Sequence, residues 1–158
     1  MDPPRYALLT TDIAAQQTII HRIYTLLRQR AEGLTIENPE KLESVAYQLH
    51  NLYGAIEELF KVIATYFENQ ITDAGQRHSR LLQRMSQPVP GVRPAIISEE
   101  SYLLLNSLRA FRHCFRHAYG VPIDHNQLLS NLEKAYALDA KLSTDIQIFL
   151  STLERSHE

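Results

Sequence analysis

Apolar residues recur at steps of three and four through most of the chain, and no sustained apolar–polar alternation points to a strand. The first such run predicts a helix over about residues 7–32. Ile13, Ile20, Tyr24 and Leu27 form its inward face, and Gly33 terminates it. Asn38 and Pro39 start a second helix, as N-cap and first helical residue. It continues to about residue 69 with Leu42, Val45, Leu49, Leu52, Ile56, Leu59, Phe60 and Ile63 inward. A shorter helix follows over about residues 74–85. Pro88, Pro90 and Pro94 then make residues 87–94 an extended connection that cannot be helix interior. Ser98, followed by Glu99 and Glu100, caps a fourth helix, because acids suit the positive N-terminal end. That helix runs to Tyr119, with Gly120 as its terminator. Asp124 caps a last helix, which ends near Leu153. The expected fold is all-α: an antiparallel bundle of four long helices and a short one. Neither side of the Pro-rich break is large enough to stand alone, so residues 1–158 are read as a single domain.

Composition leaves that picture unchanged and narrows the function. A 44% hydrophobic and 22% charged chain of 158 residues is ordinary for a globular domain. The net charge of −2 gives no global basic signature, so a polyanionic partner must be held by a local patch. Cys114 is the single cysteine, which rules out an internal disulfide and suits a cytoplasmic location. No secretory signal is expected, since no apolar run follows the basic residue near the start, and no stretch is apolar enough to span a membrane.

The fourth helix carries the local patch. On a wheel of roughly 100° per residue, Leu104, Leu108, Phe111, Phe115 and Ala118 fall in one stripe, expected to face the core. Arg109, Arg112, His113, Arg116 and His117 spread over an arc about 140° wide on the other side. No acid interrupts it, because none occurs between Glu100 and Asp124. A solvated basic face is the bland account. An anion-binding face is the other account, since a bound anion offsets the repulsion between these side chains, and the arc alone does not choose between the two. Histidine adds chemistry to charge. Cleaving RNA without a metal needs a base for the 2′-hydroxyl, an acid for the leaving 5′-oxygen and positive charge on the phosphate. Imidazole can serve as acid and base, and guanidinium matches phosphate geometry. Arg112 and His117 lie at opposite edges of the arc, so one helix holds them splayed. A symmetric dimer would bring two of each into one cleft.

The segment from Arg112 to His117 resembles the Arg-x4-His signature of HEPN ribonucleases, and its extension to Tyr119 resembles the Arg-x4-His-x-Tyr form of HepT toxins. Chance alone supplies roughly half an Arg-x4-His in a chain of this composition, but only roughly 0.03 once the tyrosine is required. The likeness extends upstream, through residues 52–60 and through residues 78–85, which resemble the "WH-x-x-LL" segment of HepT-like chains. It covers roughly residues 47–134. Arg77 stands where that family commonly has Trp, and His113 where Asn or Asp is commoner. The resemblance implies a metal-independent endoribonuclease toxin with Arg112 and His117 catalytic and His113 assisting, and no cofactor. Arg109 and Arg116 then bind RNA, with transfer RNA a common target class. It further implies a homodimer and a partner nucleotidyltransferase antitoxin that neutralises the toxin by AMPylation of Tyr119. A non-cleaving RNA- or nucleotide-binding module is the alternative.

Other candidates carry less. His113 and His117 could share a metal, but neighbouring arginines oppose a cation and no further ligand motif is present. Cys114 falls on the fringe of the apolar stripe and reads as a small buried thiol rather than a nucleophile. Glu57 and Glu58 read as ordinary helix carboxylates. Arg77, His78, Arg80 and Arg84 form a second basic patch. Tyr47, Tyr53 and Tyr66 are expected at core and rim, and His21, His50 and His125 follow no usable pattern.

Overall fold

In a computed structural model the chain is described over residues 1–68, 77–117 and 120–156, the side chains of Arg77 and His78 apart. Five helices account for its regular structure: α1 (Pro3–Ala31), α2 (Pro39–Phe67), α3 (Arg77–Met85), α4 (Glu99–His117) and α5 (His125–Arg155). The expected all-α bundle of four long helices and a short one is what forms, and no strand occurs among the described residues.

Local chemistry fixes the helix ends. Asp2 accepts a hydrogen bond from Arg5 N at 2.8 Å and Pro3 and Pro4 open the first turn, so α1 begins four residues before the periodicity suggested. Asn38 and Asp124 cap α2 and α5 as expected, each accepting from the backbone three residues on. Ser98 Oγ accepts from Ser101 N at 3.2 Å, and Ser98 itself is held by Asp145 of α5. Gly33 and Gly120 both take positive φ, the left-handed conformation that ends a helix cheaply only at glycine.

α2 is the central element, packed against α1, α3, α4 and α5. All eight of its predicted inward residues are buried, as are Ile13, Ile20, Tyr24 and Leu27 of α1. Polar ties set the helix directions. Near the start of α1, Tyr6 bonds Leu150 O late in α5. Further along α1, Tyr24 donates to Ala135 O at 2.7 Å and Arg28 pairs with Asp139 at 2.6 Å. α1 and α5 therefore run antiparallel.

Residues 87–94 depart from expectation. They are not extended: Val89 and Arg93 bridge across a tight turn with Gly91 at φ 73°. The cause is Arg93, whose side chain is fully buried. It donates to Glu68 Oε1 at 2.7 and 3.1 Å and to the carbonyls of Arg84, Gln87 and Pro94. Ile96 and Ile97 follow into the core, their N–H groups capping α3 at Met85 O. This buried knot ties the loop to the end of α2 and sets where α4 starts.

Candidate functional site

On α4 the buried residues are Ser101, Leu105, Leu108 and Phe111. The inward stripe is therefore rotated from the expected one, with Leu104 and Phe115 only half-buried and Ala118 outside the described residues. The rotation moves two predicted positions. Arg112 continues the line of Leu105 and Leu108 by steps of three and four, so it lies on the inward side, half-buried, rather than on the solvent arc. Cys114 faces away and is exposed, which corrects its reading as a buried thiol.

What Arg112 meets is α2. Its Cζ sits 5.8 Å from the ring of buried Tyr53. Burial, then the nearby Glu57 carboxylate, pushes the Tyr53 phenol well above its ordinary pKa, against the lowering pull of Arg109 and Arg112. Arg112 Nε is buried without a hydrogen-bond partner. A cation–π contact contributes about 0.5–1 kcal/mol at such sites, whereas an unmade buried hydrogen bond costs about 1–3 kcal/mol. The ring contact alone therefore does not offset an Nε left without a hydrogen bond. Among the described residues no carboxylate pairs with Arg109, Arg112 or Arg116.

One turn up α2, His50 joins the same face. Its ring lies 6.0 Å from that of Phe115 and its Nδ1 is buried without a partner. Burial, then Arg112 and Arg116, lowers its pKa from the ordinary imidazole value. The remaining predicted residues are more open. His113 and His117 are exposed and pair with each other, ring centroids 4.6 Å apart. Arg109 folds back to donate to Asn106 Oδ1 at 3.0 and 3.2 Å, and Arg116 is exposed. The structure thus gathers Arg112, Tyr53, His50 and Phe115 on one side and His113 with His117 on the other. No contact joins Arg112 to His117 among the described residues. Tyr119 lies outside them.

Sequence reasoning missed His50. Its only signal was the spacing of Tyr47, His50 and Tyr53, three apart along one side of α2. Tyr53 is core and Tyr47 exposed rim, as expected, and half-buried Tyr66 donates to Asp12 at 2.5 Å. Glu57 is buried and Glu58 exposed, both paired with Lys61. The second basic patch is reduced: Arg84 is engaged by Glu68 at 2.5 Å, Arg80 is exposed, and the side chains of Arg77 and His78 lie outside the described residues. His21 is exposed, and half-buried His125 opens α5. Among the described residues no group of three or more His, Cys, Asp or Glu side chains converges as metal ligands, and no helix is long and apolar enough to cross a membrane.

A helical bundle with a cationic, histidine-bearing helix end of this kind is the HEPN architecture. A family model described as "HepT-like protein" matches residues 44–153, more than half of the chain and all of α4, and the chain belongs to that HepT-like family within the HEPN superfamily. Comparison with curated proteins and with solved structures returned no match.

Proposed function

We propose that this protein is a toxin-type endoribonuclease that needs no metal ion, built as one HEPN-like unit and active as a homodimer. The observation that carries the reading is the Arg112 guanidinium, half-buried over Tyr53, whose Nε has no hydrogen-bond partner among the described residues. Such a group is stabilised by an arriving oxyanion, and phosphate offers the matching geometry. Two copies of the α4 end, facing each other, supply two arginines and two histidines to one cleft.

In the proposed reaction one imidazole takes the 2′-hydroxyl proton and the freed oxygen attacks the adjacent phosphorus. The bond to the 5′-oxygen breaks as a second imidazole protonates it, leaving a 2′,3′-cyclic phosphate and a 5′-hydroxyl. His117 of each copy fills these roles, Arg112 holds the charge developing on the phosphoryl oxygens, and His113 assists His117, whose ring it touches. Arg109 and Arg116 hold flanking phosphates of the RNA, with transfer RNA the target class the family suggests. A partner nucleotidyltransferase, the antitoxin, blocks the cleft by attaching AMP to Tyr119.

Incubating the protein with RNA in EDTA tests the reading. Cleavage by the wild type that is lost in His117→Ala supports it. RNA that is bound but never cut would replace it with a non-cleaving binding module. Intact mass after exposure to the partner enzyme and ATP tests Tyr119 separately, and adenylate mapped to another residue would refute that assignment.

A further inference from the structure

Beside the cationic end of α4 opens a cleft of about 1090 Å³, lined by Ile36, Tyr47, Phe115, Val121, Pro122 and Ile123. Three of these are large apolar side chains left in water: Ile36 is 67% exposed, Val121 65% and Tyr47 55%. We propose that this cleft is a nucleobase subsite, which seats the base next to the phosphate gripped by α4. The inference rests on the ribonucleic-acid reading above and deepens it.

Three observations point to a base. The first is continuity. Phe115 forms a wall of the cleft and also contacts His50, in the group around Arg112, and it directly precedes Arg116 in the sequence. At a rise of roughly 1.5 Å per residue, phosphate-binding and base-binding positions lie within one helical turn, the reach of a single nucleotide. The second is chemistry. Exposed Tyr47 offers a flat aromatic surface of the kind on which single-stranded bases stack. The third is charge. The C-terminal end of α4 is cationic and acid-free, whereas the cleft wall carries Glu43 and Asp124 beside His125. Those carboxylates would repel a phosphate or an acidic peptide, while Glu43 and the Asp124 oxygen not used in capping α5 can accept hydrogen bonds from the amino groups on base edges. Phosphate and base are thus assigned to neighbouring sites of opposite character.

The test uses a fluorescein-labelled 2′-O-methyl hexanucleotide, which lacks the attacking hydroxyl and so reports binding alone. It is prepared intact and as a set with one abasic position each. Fluorescence anisotropy is measured with the wild type and with Tyr47→Ala, an exposed position whose loss leaves the core untouched. One abasic position should weaken wild-type binding by roughly ten-fold, since stacking of one base is worth about that factor or more. The same change should weaken Tyr47→Ala less than two-fold. Equal penalties in both proteins, no position with a penalty, or no binding at all would overturn the subsite. So would a Tyr47→Ala protein that keeps its RNA affinity but loses self-association in sedimentation, which would assign the cleft to a second copy of the chain. Failure to cut all-ribose RNA with the abasic pattern intact counts against the nuclease reading and leaves the subsite standing. Cleavage without the pattern does the reverse.

Discussion

Arg93 and Arg112 both carry a guanidinium into the packed interior, and their surroundings differ in kind. Arg93 is fully buried, yet it has a carboxylate on two of its nitrogens and three backbone carbonyls around it. Arg112 is half-buried over an aromatic ring, with its Nε unpartnered. The first is complete within the chain, and its role is to hold a loop. The second leaves its Nε without a partner among the described residues, which is what the proposed phosphate contact would use. Residue type does not tell the two apart, and depth alone misleads, since the deeper arginine is the satisfied one. They are separated by whether their hydrogen bonds are made.

The contrast is broken most directly at Glu68. Glu68→Ala leaves Arg93 buried without its counter-charge, and chemical denaturation should show a loss of about 3–5 kcal/mol. A loss below 1 kcal/mol would mean that Arg93 is not held as a closed unit. Arg112→Met should do the opposite. It removes an unsatisfied group from an apolar contact, so folding stability should stay within about 1 kcal/mol of wild type. RNA cleavage should fall by about 100- to 1000-fold, the usual cost of one group that stabilises developing oxyanion charge. A stability loss matching that of Glu68→Ala would make Arg112 a structural arginine too.

His50 sharpens the comparison through pH. Its folded pKa is depressed by burial and by Arg112 and Arg116, while the unfolded imidazole titrates near 6.5. Above that value both states are neutral and His50 contributes no pH dependence. As pH falls below it, the unfolded chain binds the proton first, so stability is lost until the folded pKa is passed. Denaturation between pH 7 and pH 5 should therefore show a steeper decline for wild type than for His50→Gln. Parallel curves would mean that neither burial nor the two arginines depresses the folded imidazole. The smallest effect is expected at Cys114, which is exposed on the side of α4 away from the core. Cys114→Ser should change stability by no more than about 0.5 kcal/mol, and a larger loss would restore the buried reading.

Much of the fold was legible in the sequence because its signals are local. Three- and four-residue spacing marked the inward faces of α1 and α2, and Asn38, Asp124, Gly33 and Gly120 act within one turn of themselves. The acid-free cationic end of α4, and with it the family, could be read the same way, since both depend only on the order of residues. The rotation of α4 could not. A wheel gives relative angles along one helix, and the neighbours choose which angle becomes the interior. Here that choice puts Arg112 against Tyr53, brings His50 beside Phe115 and turns Cys114 out to solvent. The knot of Glu68, Arg84 and Arg93 was equally hidden, because its members come from separate segments and its energy exists only once water has left. Sequence determined which residues are cationic, apolar or helix-ending. Tertiary structure decided which of those charges are satisfied, because satisfaction depends on atoms brought together from elsewhere in the chain.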